Sequence, residues 1–455
     1  MTLSQQIANQ KSSFFKGINR PLSTRMKHLS TLRELVQDNE SLFYEALQKD
    51  LGKPEFEVYT TEIITVLNEI DVHLKNVKQW AKVRATGNSY FTFPSKSKIY
   101  SQPLGVVLII GAWNYPIHLT LMPLIGAISA GNTIALKPSE LAPNTSSLLA
   151  KLFRYYFEPD FISVHEGGAD TSTKLLKEPF DKIFFTGSTH VGKIVMKAAA
   201  EHLTPVTLEL GGKSPAIIHK DADITVSSNR IWWGKTLNAG QTCVAPDFVA
   251  IHESKKAEFI EESKKTLLNF FNNDYIIGSN YTQIVNTSHY ERLTHLLQTG
   301  KIIAGGNTDP DTRFIEPTLM EAEWDDFIMQ EEIFGPLLPL ITFSKPEEVM
   351  QKLQDMPSPL ALYLFTEDEQ FQKDIITHVP FGGGCVNETV SYLANHHLPF
   401  GGVGKSGMGS YHGKYSFDTF SREQSILYKS YWPDPDLRYP PYDDKIITWF
   451  KRLFS

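Results

Sequence analysis

The side chains most able to do chemistry include a cysteine in a segment of small, uncharged residues. Cys243 lies in NAGQTCVAP (238–246), where alanine and glycine leave space beside the sulfur. A thiolate is a strong nucleophile, so this residue is a candidate for covalent attack on an electrophilic carbon. Cysteine is also a common small filler of protein cores. The segment alone therefore leaves a nucleophile and an inert core thiol both open.

Two further polar residues end apolar stretches. Glu209 follows PVTL (205–208) and precedes a pair of glycines, and burial at such a place raises the pKa of a carboxyl toward that of a useful general base. Asn114 follows the apolar run VVLIIG (106–111), and its side-chain amide could donate to a developing oxyanion. Taken singly, a capping or ion-paired glutamate and a turn asparagine explain the same residues.

A glycine-rich segment, GSTHVGK (187–193), matches the spacing of a phosphate-binding loop. Ile194 occupies the position where such a loop needs the serine or threonine that holds magnesium, so the sequence argues against an ATP hydrolase. The segment still lies between a predicted strand and a predicted helix, which leaves backbone N–H groups facing an anion. A dinucleotide pyrophosphate is a physically reasonable ligand, although the motif alone is not specific.

Strand and helix patterns alternate through the first half of the chain. Helices predicted over 117–130 and 189–202 separate short apolar runs, which is typical of a parallel sheet with helices on its faces. The predicted strands are VVLIIG (106–111), NTIALKP (132–138), FISVHEGG (161–168), DKIFFTG (181–187) and PVTLEL (205–210). Ligands of such sheets bind at the carboxyl ends of the strands. The polar residues predicted there are Asn114, Lys137, Glu140, Gly187, Ser188 and Glu209.

The flanking segments predict a helical layer, a projecting hairpin and a second α/β region. Apolar spacing predicts helices over residues 4 to about 84, with Ser23 as a candidate cap. Residues 89–101 predict two strands joined by a turn at 94–97, and the β-type sequence after Tyr415 could pair with this hairpin. Further strands are predicted at FVAIH (248–252), FIEPTLM (314–320), LLPLITF (337–343) and LALYLF (360–365).

Composition argues against several classes of function. The 455 residues carry a net charge of −7 with no long basic run, so no nucleic acid partner is expected. Cys243 and Cys385 are the only cysteines, and no zinc motif occurs, so neither a disulfide framework nor a metal site is expected. The polar N-terminus predicts a cytoplasmic protein. The nearly uncharged run 99–136 could span a bilayer by length, but prolines, asparagines and glycines interrupt it, so no transmembrane segment is expected.

Seven motifs, taken together in their order, resemble the aldehyde dehydrogenase superfamily. They are WNYP (113–116), KPSE (137–140), FTGSTHVGK (185–193), LELGGKSP (208–215), AGQTCVAP (239–246), EEIFGP (331–336) and PFGGVGKSGMG (399–409). The resemblance extends from about residue 20 to about residue 442. GSYHGKYSFDTFS (409–421) and RYPPY (438–442) are similar to the class 3 branch, whose members handle aromatic and medium- or long-chain aldehydes.

The resemblance implies a covalent route for oxidising an aldehyde to the carboxylic acid. Cys243 would attack the aldehyde carbon to give a thiohemiacetal, while the Asn114 amide and the Cys243 backbone N–H hold the oxyanion. Glu209 would activate the water that hydrolyses the resulting thioester. Family members that pass the acyl group to coenzyme A lack a glutamate at this place, so the free acid is expected. A non-catalytic binding or structural protein that retains the fold is the alternative.

The resemblance also assigns a cofactor site and a substrate channel. NAD is the expected cofactor, with NADP possible, because the Glu140 carboxylate would repel a 2′-phosphate. Lys137 and Glu140 are assigned to the adenosine ribose. The other cofactor residues are Gly187, Ser188 and Gly192 near the pyrophosphate and Glu332 and Phe334 near the nicotinamide ribose and ring. The aldehyde channel is assigned Tyr115, Trp233 and Phe400, with ordinary core aromatics as the alternative.

The implied fold is α/β, with a Rossmann-like cofactor domain, an α/β catalytic domain and a small β oligomerisation arm in a homodimer. The respective boundaries are 1–84 with 106–208, then 209–416, then 85–105 with 417–440. The tail, residues 441–455, is predicted to be a short amphipathic helix. It could pack on a partner subunit, gate the channel or touch a membrane surface, and subunit packing is favoured.

Overall fold

The computed structural model describes residues 2–434, 436–442 and 444–454. Within these residues the chain divides into two compact units. The larger unit comprises Met1–Trp80 and Pro103–Arg422, and the smaller comprises Ala81–Gln102 and Glu423–Ser455. Every candidate site residue belongs to the larger unit.

The first part of the larger unit is a helical layer, as predicted. Leu29, Leu32 and Leu35 are buried because they recur on one face of a helix. The prediction that Ser23 caps a helix is wrong, since the second helix begins directly after Pro21, which takes the N-cap position without a side-chain bond. The helices are α1 (Leu3–Phe15), α2 (Leu22–Asp38), α3 (Glu40–Leu51), α4 (Glu55–Val58) and α5 (Ile64–Trp80), with a π turn at Tyr59–Ile63 before α5.

A first sheet in this unit confirms the predicted alternation of strands and helices. Its strands are β3 (Val106–Ile110), β4 (Thr133–Lys137), β5 (Ile162–Val164), β6 (Lys182–Thr186), β7 (Val206–Glu209) and β17 (Gly407–Met408). Their order is β17-β7-β6-β3-β4-β5, with β17 antiparallel to β7 and the others parallel. The connecting helices are α6 (His118–Ala130), α7 (Pro143–Tyr156), α8 (Ala169–Leu175) and α9 (Thr189–Ala200). The strands that follow β3 in sequence, β4 and β5, lie on one side of it, and β6 lies on its other side. The carboxyl ends of the strands at such a switch point form a ligand crevice.

A second sheet follows, with the order β10-β13-β14-β9-β8-β15-β16. Its strands are β8 (Pro215–Ile218), β9 (Phe248–His252), β10 (Lys301–Ala304), β13 (Thr318–Glu321), β14 (Leu337–Phe343), β15 (Ala361–Phe365) and β16 (Gly383–Val386). The prediction of one strand over 314–320 is wrong, because Pro317 lacks the N–H that would continue a ladder. That segment is divided between β13 and a short strand that pairs in a separate hairpin, β11 (Thr308–Asp309) with β12 (Phe314–Ile315).

The helices of this region lie between the strands of the second sheet and after it. They are α10 (Ile224–Thr236), α11 (Lys256–Phe271), α12 (Thr287–Leu297), α13 (Pro346–Asp355), α14 (Glu369–His378) and α15 (Lys414–Thr419). Of these, α10 leads directly into the segment that carries Cys243.

The smaller unit contains a sheet with the order β1-β2-β18, formed by β1 (Arg84–Thr86), β2 (Ser95–Pro103) and β18 (Ser421–Lys429). The predicted hairpin within 89–101 is wrong. Tyr90–Thr92 form a 3₁₀ turn, and β2 is one uninterrupted strand whose antiparallel partner is β1. The predicted pairing of the tail with this segment is confirmed by β18. The predicted tail helix is α16 (Asp444–Phe454).

The nearly uncharged run forms β3, α6 and β4, which are buried almost throughout. A helix surrounded by protein needs no polar face, and this explains the hydropathy of the run. Among the residues described, no helix has both the length and the apolar character needed to cross a membrane. The same residues contain no group of three or more histidine, cysteine, aspartate or glutamate side chains that could hold a metal ion.

Candidate active site

Cys243 lies in a tight loop that follows α10. Asn238, Ala239 and Gly240 have φ values of 52°, 52° and 74°, so the chain turns through three successive left-handed residues. Gly240 is required there, since a Cβ would lie 2.2 Å from the Gly335 carbonyl oxygen. The backbone N–H groups of Cys243 and Val244 interact with the Cys243 sulfur, so two donors lie beside the thiol in this loop.

Gln241 holds this loop together from inside. Its side-chain amide donates to the carbonyl oxygens of Asn238 at 3.0 Å and Gln283 at 3.1 Å, and its side-chain oxygen accepts from the Val285 N–H. Its backbone carbonyl oxygen accepts from the Asn114 side-chain amide at 3.0 Å. The loop is therefore fixed before any ligand arrives, which is what a preorganised site requires.

Asn114 and Tyr115 follow β3 at the switch point and face the same loop. Asn114 is 3% exposed, and its bond to Gln241 leaves one N–H of its side chain for another acceptor. The Tyr115 hydroxyl lies 2.7 Å from the Thr242 hydroxyl, one residue before the cysteine. The structure thus brings the Asn114 amide and the Cys243 loop together.

Glu209 ends β7 on the same side of the sheet. It is 3% exposed, and neither carboxylate oxygen has a hydrogen-bond partner among the described residues. Burial raises its pKa well above the ordinary glutamate value. Its backbone carbonyl oxygen accepts from the Gly187 N–H at 3.0 Å, which joins the end of β7 to the glycine-rich segment. The carboxyl is thus a buried group with unused acceptor capacity.

Two carboxylates influence the pKa of the Cys243 thiol. Burial is the largest cause that raises the pKa of Cys243, and the negative charges of Glu332 and Glu209 raise it further. The pKa of Glu332 is raised to about 8, mainly by burial and then by Asp247. With the carboxylates charged, a thiolate would be a further negative charge in a poorly hydrated site, so Cys243 is held as the neutral thiol.

The residues assigned to the adenosine side lie at the ends of β4 and β6. Lys137 is buried at the end of β4 and forms an ion pair with the half-exposed Glu140. Ser188 caps α9 by accepting from the Val191 N–H, so the first N–H groups of α9 point outward from the switch point. A Cβ at Gly192 would lie 2.8 Å from the Leu210 side chain, so this glycine lets α9 pack closely against the chain after β7.

Glu332 is held in place through its backbone. Lys213 and Asp247, which form an ion pair, bind the backbone on either side of Glu332. The Lys213 ammonium donates to the Glu331 carbonyl oxygen at 3.0 Å, and the Asp247 carboxylate accepts from the Ile333 N–H at 3.0 Å. The Glu332 carboxylate approaches Gly211 so closely that a Cβ there would lie 2.0 Å from its oxygen. Only glycine at position 211 leaves room for this placement.

The aromatic residues assigned to the site differ in exposure. Phe400 is 5% exposed and packs against the rings of Tyr411 and His412, whereas Trp233 on α10 is 42% exposed. Phe334, at φ 52°, meets the Trp113 ring edge-on with 5.4 Å between the ring centroids. Tyr115 is fixed by its bond to Thr242, and Phe400 and Phe334 by ring packing, and Trp233 is the most exposed of these four aromatics.

Comparison with known proteins identifies the family of this chain. The model of the aldehyde dehydrogenase family matches residues 4–426. The chain belongs to the aldehyde dehydrogenase family. A 4,4'-diaponeurosporen-aldehyde dehydrogenase of Staphylococcus aureus is 46% identical over 456 residues, which cover 100% of this chain and 99% of the relative. Aldehyde dehydrogenase family 3 member A2 of Rattus norvegicus is 43% identical over 452 residues, 99% of this chain and 93% of the relative.

The solved structures agree with this membership. The substrate-bound Staphylococcus aureus AldH has a TM-score of 0.97 and 45% sequence identity, with 100% of both chains covered. The class 3 resemblance and the aldehyde dehydrogenase fold expected from the sequence are confirmed. The protein is an oxidoreductase that oxidises aldehydes to acids with NAD(P)⁺ as acceptor.

The described residues fit a dinucleotide, the cofactor of this family. The Thr186 hydroxyl at the end of β6 is buried and, among the described residues, makes no hydrogen bond. Beside it, the N-terminus of α9 presents backbone N–H groups at the switch point, the arrangement that binds phosphate. The Lys137 ammonium and the Glu332 carboxylate flank this edge with groups able to bind ribose hydroxyls.

Sequence reasoning missed residues that support the site from behind. Gln241, Lys213 and Asp247 lie inside or beside recognised motifs, but nothing in their spacing indicates that they bind backbone groups of distant segments. A polar residue within an apolar, glycine-rich segment is the available signal, because buried polar groups need partners.

Proposed function

We propose that this aldehyde dehydrogenase acts on medium- or long-chain aliphatic or aromatic aldehydes through Cys243, with Glu209 as the base for thioester hydrolysis. The observation that carries the proposal is the buried Glu209 carboxyl, which makes no hydrogen bond among the described residues and lies near enough to Cys243 to raise the pKa of the thiol. A structural glutamate would satisfy its oxygens with partners. Unused acceptor capacity beside a thiol suits the activation of water.

The first half of the reaction forms a covalent adduct. The Cys243 thiol releases its proton to solvent, its sulfur forms a C–S bond with the aldehyde carbon, and the π electron pair of the C=O bond moves to the oxygen, which becomes an oxyanion. The free N–H of the Asn114 side chain and the Cys243 backbone N–H then stabilise that oxyanion. Removal of one such donor costs about 3–4 kcal/mol of transition-state stabilisation, so Asn114→Ala should lower kcat by at least about 100-fold.

The second half releases the acid. NAD(P)⁺, which the residues around Lys137, Gly187 and Glu332 would hold, would supply the acceptor for the hydride that the thiohemiacetal loses on becoming a thioester. Glu209 then takes a proton from water, and the hydroxide adds to the thioester carbon. The C–S bond breaks, the sulfur leaves with its electron pair, and the carboxylic acid is free. The raised pKa of Glu209 lets it hold the proton until the leaving thiolate needs it.

We assign NAD⁺ as the preferred cofactor on the charge of Glu140. Its carboxylate is half-exposed, lies near Gly168 and is held by Lys137, so it would face a 2′-phosphate with negative charge. The lysine offsets part of that charge, which leaves NADP⁺ as a weaker acceptor. The ratio of kcat/KM for NAD⁺ and NADP⁺ measures this preference, and Glu140→Gln should shift the ratio toward NADP⁺.

The proposed substrate class is supported by the three aromatic residues assigned to the aldehyde channel. Tyr115, Phe400 and Trp233 supply large apolar surfaces, and burial of a methylene group stabilises binding by about 0.8 kcal/mol. Short polar aldehydes gain little from such surfaces. The expected order of kcat/KM therefore rises from acetaldehyde to long-chain and aromatic aldehydes. The assay panel includes 4,4'-diaponeurosporen-aldehyde, the compound for which the Staphylococcus aureus relative is named.

We also propose that the protein works as a cytoplasmic homodimer. The smaller unit exposes Tyr90, Phe93, Tyr431 and Trp432, which are costly to leave in water. Its β1 and β18 are the outer strands of a sheet and could accept another strand. A second copy of the chain would cover such surfaces. Sedimentation at several concentrations measures the mass of the assembly.

The deciding experiment compares Cys243→Ala with Glu209→Gln. Cys243→Ala should abolish aldehyde-dependent NADH formation, because no covalent adduct forms. Glu209→Gln should give a stoichiometric burst of NADH followed by slow turnover, because the thioester accumulates. Full activity of Cys243→Ala would overturn the mechanism. Absence of NADH formation by the unmodified protein across the whole aldehyde panel would instead favour a binding protein that retains the fold.

A further inference from the structure

Two carboxylates of the helical layer face the candidate active site because of an irregular helix. Glu57 and Glu62 are five residues apart, and at 3.6 residues per turn such residues lie about 140° apart around an α-helix. Between them the chain makes a π turn, in which the Ile64 N–H donates to the Tyr59 carbonyl oxygen. A π turn contains one residue more than an α-helical turn, so residues i and i+5 lie on nearly the same side of the helix. The helix thereby presents both carboxylates to neighbouring segments.

Glu62 binds the chain directly after Tyr115. Its Oε2 accepts from the Ile117 N–H at 2.9 Å and the His118 N–H at 3.4 Å, at the start of α6. Its Oε1 lies 2.6 Å from the Lys53 ammonium, and both side chains are 0% exposed. The segment that carries Asn114 is therefore anchored at its far end by a fully buried carboxylate.

Lys53 also contacts the segment that carries Asn114 and Tyr115. Its ammonium lies 3.8 Å from the centroid of the Tyr115 ring. The Tyr115 hydroxyl contacts Thr242 at 2.7 Å, so the position of the ring is coupled to the loop that carries Cys243. The buried Lys53–Glu62 pair thus contacts the segment that carries Asn114. Through the Tyr115 ring it is also coupled to the loop that carries Cys243, called the nucleophile loop below.

Glu57 binds the nucleophile loop itself. Its Oε2 accepts from the Asn238 N–H at 2.9 Å. Asn238 has a left-handed backbone, and its side-chain amide donates to the Asn114 carbonyl oxygen at 2.8 Å. A carboxylate on the helical layer therefore holds the residue that links the two oxyanion donors.

We propose that Glu62 and Glu57 are positioning residues that set the distance between the Asn114 amide and the Cys243 backbone N–H. This role rests on the function proposed above. Neither carboxylate reaches the reacting atoms in this scheme, and each acts through the backbone N–H groups that it binds. An ordinary buried ion pair would stabilise the fold without affecting the rate per folded active site.

A matched pair of double variants tests the role of Glu62. Lys53→Met/Glu62→Gln removes both charges but keeps an amide oxygen for the Ile117 and His118 N–H groups. Lys53→Met/Glu62→Leu removes the same charges and the acceptor at nearly the same volume. Methionine at position 53 retains an apolar contact with the Tyr115 ring. The two proteins therefore have the same net charge and differ only in the amide group at position 62, which carries the acceptor.

The measurements separate positioning from stability. The kcat per active site, titrated by the NADH burst, should be about 10- to 100-fold lower in the Leu variant than in the Gln variant, because misplacement of oxyanion donors by less than about 1 Å has such effects. The KM for NAD⁺ should be unchanged. Alkylation of Cys243 by iodoacetamide forms no oxyanion, so its rate should agree within about two-fold between the two proteins. Asp71→Asn, which breaks the exposed Arg33–Asp71 pair of the same layer, is the control expected to leave kcat unchanged.

Equal kcat per titrated site in the two double variants would overturn the positioning role, even if their melting temperatures differ. If the Leu variant does not fold, the partly exposed Glu57 supplies the second pair. Glu57→Ala removes the acceptor of Asn238 and should lower kcat, and Glu57→Gln should restore it; equal rates would again overturn the proposal. Failure of the unmodified enzyme to oxidise any aldehyde, or full activity of Cys243→Ala, would instead overturn the proposed function.

Discussion

At the scale of single residues, burial controls the chemistry of the site. It raises the pKa values of both Cys243 and Glu209, and for Glu209 it is the cause that acts alone. A group with a raised carboxyl pKa binds its proton up to a higher pH than a glutamate in water. The consequence is a rate that depends on pH in the range where Glu209 loses its proton.

We predict that thioester hydrolysis accelerates as the pH rises. Glu209 acts as a base only when deprotonated, so the rate should rise over the pH range in which Glu209 loses its proton. Because its pKa is raised, this rising limb of the pH–rate profile should lie above the pH range in which an ordinary glutamate titrates. The measurement is the steady-state rate after the NADH burst as a function of pH. Glu209→Gln should be slow and lack this limb. Persistence of the same limb in Glu209→Gln would assign the titration to another group.

A second prediction concerns the charge of Glu332. Its pKa is about 8, so it is charged near pH 9 and raises the pKa of Cys243 there. Glu332→Gln should lower that pKa and increase the rate of iodoacetamide alkylation near pH 9 by about three-fold, since the gain in thiolate is partly offset by lower nucleophilicity. Near pH 6 the rates should be equal. Glu331→Gln is the matched control, and the same acceleration there would exclude a specific effect of Glu332.

At the scale of elements, the residues of the turns determine where functional side chains can be placed. The turn between β7 and β8 carries Gly211, and a Cβ at this position would lie 2.0 Å from the Glu332 carboxylate oxygen. The obstacle is the far end of a flexible side chain, so the carboxylate can move away while the fold remains. Glycine therefore serves the placement of Glu332 rather than the stability of the turn.

We predict that Gly211→Ala raises the KM for NAD⁺ by about ten-fold, because loss of one charged hydrogen bond costs about 1.5–3 kcal/mol. The melting temperature should change little. Gly87→Ala is the control, since a Cβ there would meet nothing within 4 Å. Combined with Glu332→Ala, Gly211→Ala should have no additional effect on KM, because both act on one carboxylate. Additive effects would show that Gly211 acts independently of Glu332.

The elements also show which features the sequence can predict. The strands at 248–252 and 337–343 have the predicted bounds, because continuous apolar runs have few alternatives to a buried parallel strand. The hairpin predicted at 89–101 is wrong because turn residues at 94–97 do not indicate which segment pairs with the following strand. The partner of β2 is β1, at 84–86, rather than residues 89–93. The π turn at 59–63 depends on contacts with other segments, so helical periodicity alone could not reveal it. The same holds for the Gln241 contacts, which join segments far apart in sequence.

At the scale of the whole molecule, the smaller unit exposes several aromatic side chains, and few of its described residues are buried. Its helix α16 places Ile446 and Ile447 among charged residues that include Lys451 and Arg452. Apolar side chains on such a short helix can be covered by protein or by lipid headgroups. A partner subunit is favoured, because the exposed Tyr431 and Trp432 of the same unit need covering as well.

We predict that removal of residues 441–455 weakens the proposed homodimer without changing the behaviour toward lipid. Loss of the apolar face of α16 should raise the dimer dissociation constant by about ten-fold or more, since each buried aliphatic side chain contributes about 1.5–3 kcal/mol. Sedimentation equilibrium measures this constant, and flotation with anionic vesicles measures lipid binding. Lys451→Glu/Arg452→Glu separates the two explanations, because charge reversal would abolish attraction to anionic lipid but should leave apolar packing between subunits largely intact. Flotation of the full chain that is lost in both variants, with an unchanged dimer, would show that the tail binds membranes instead.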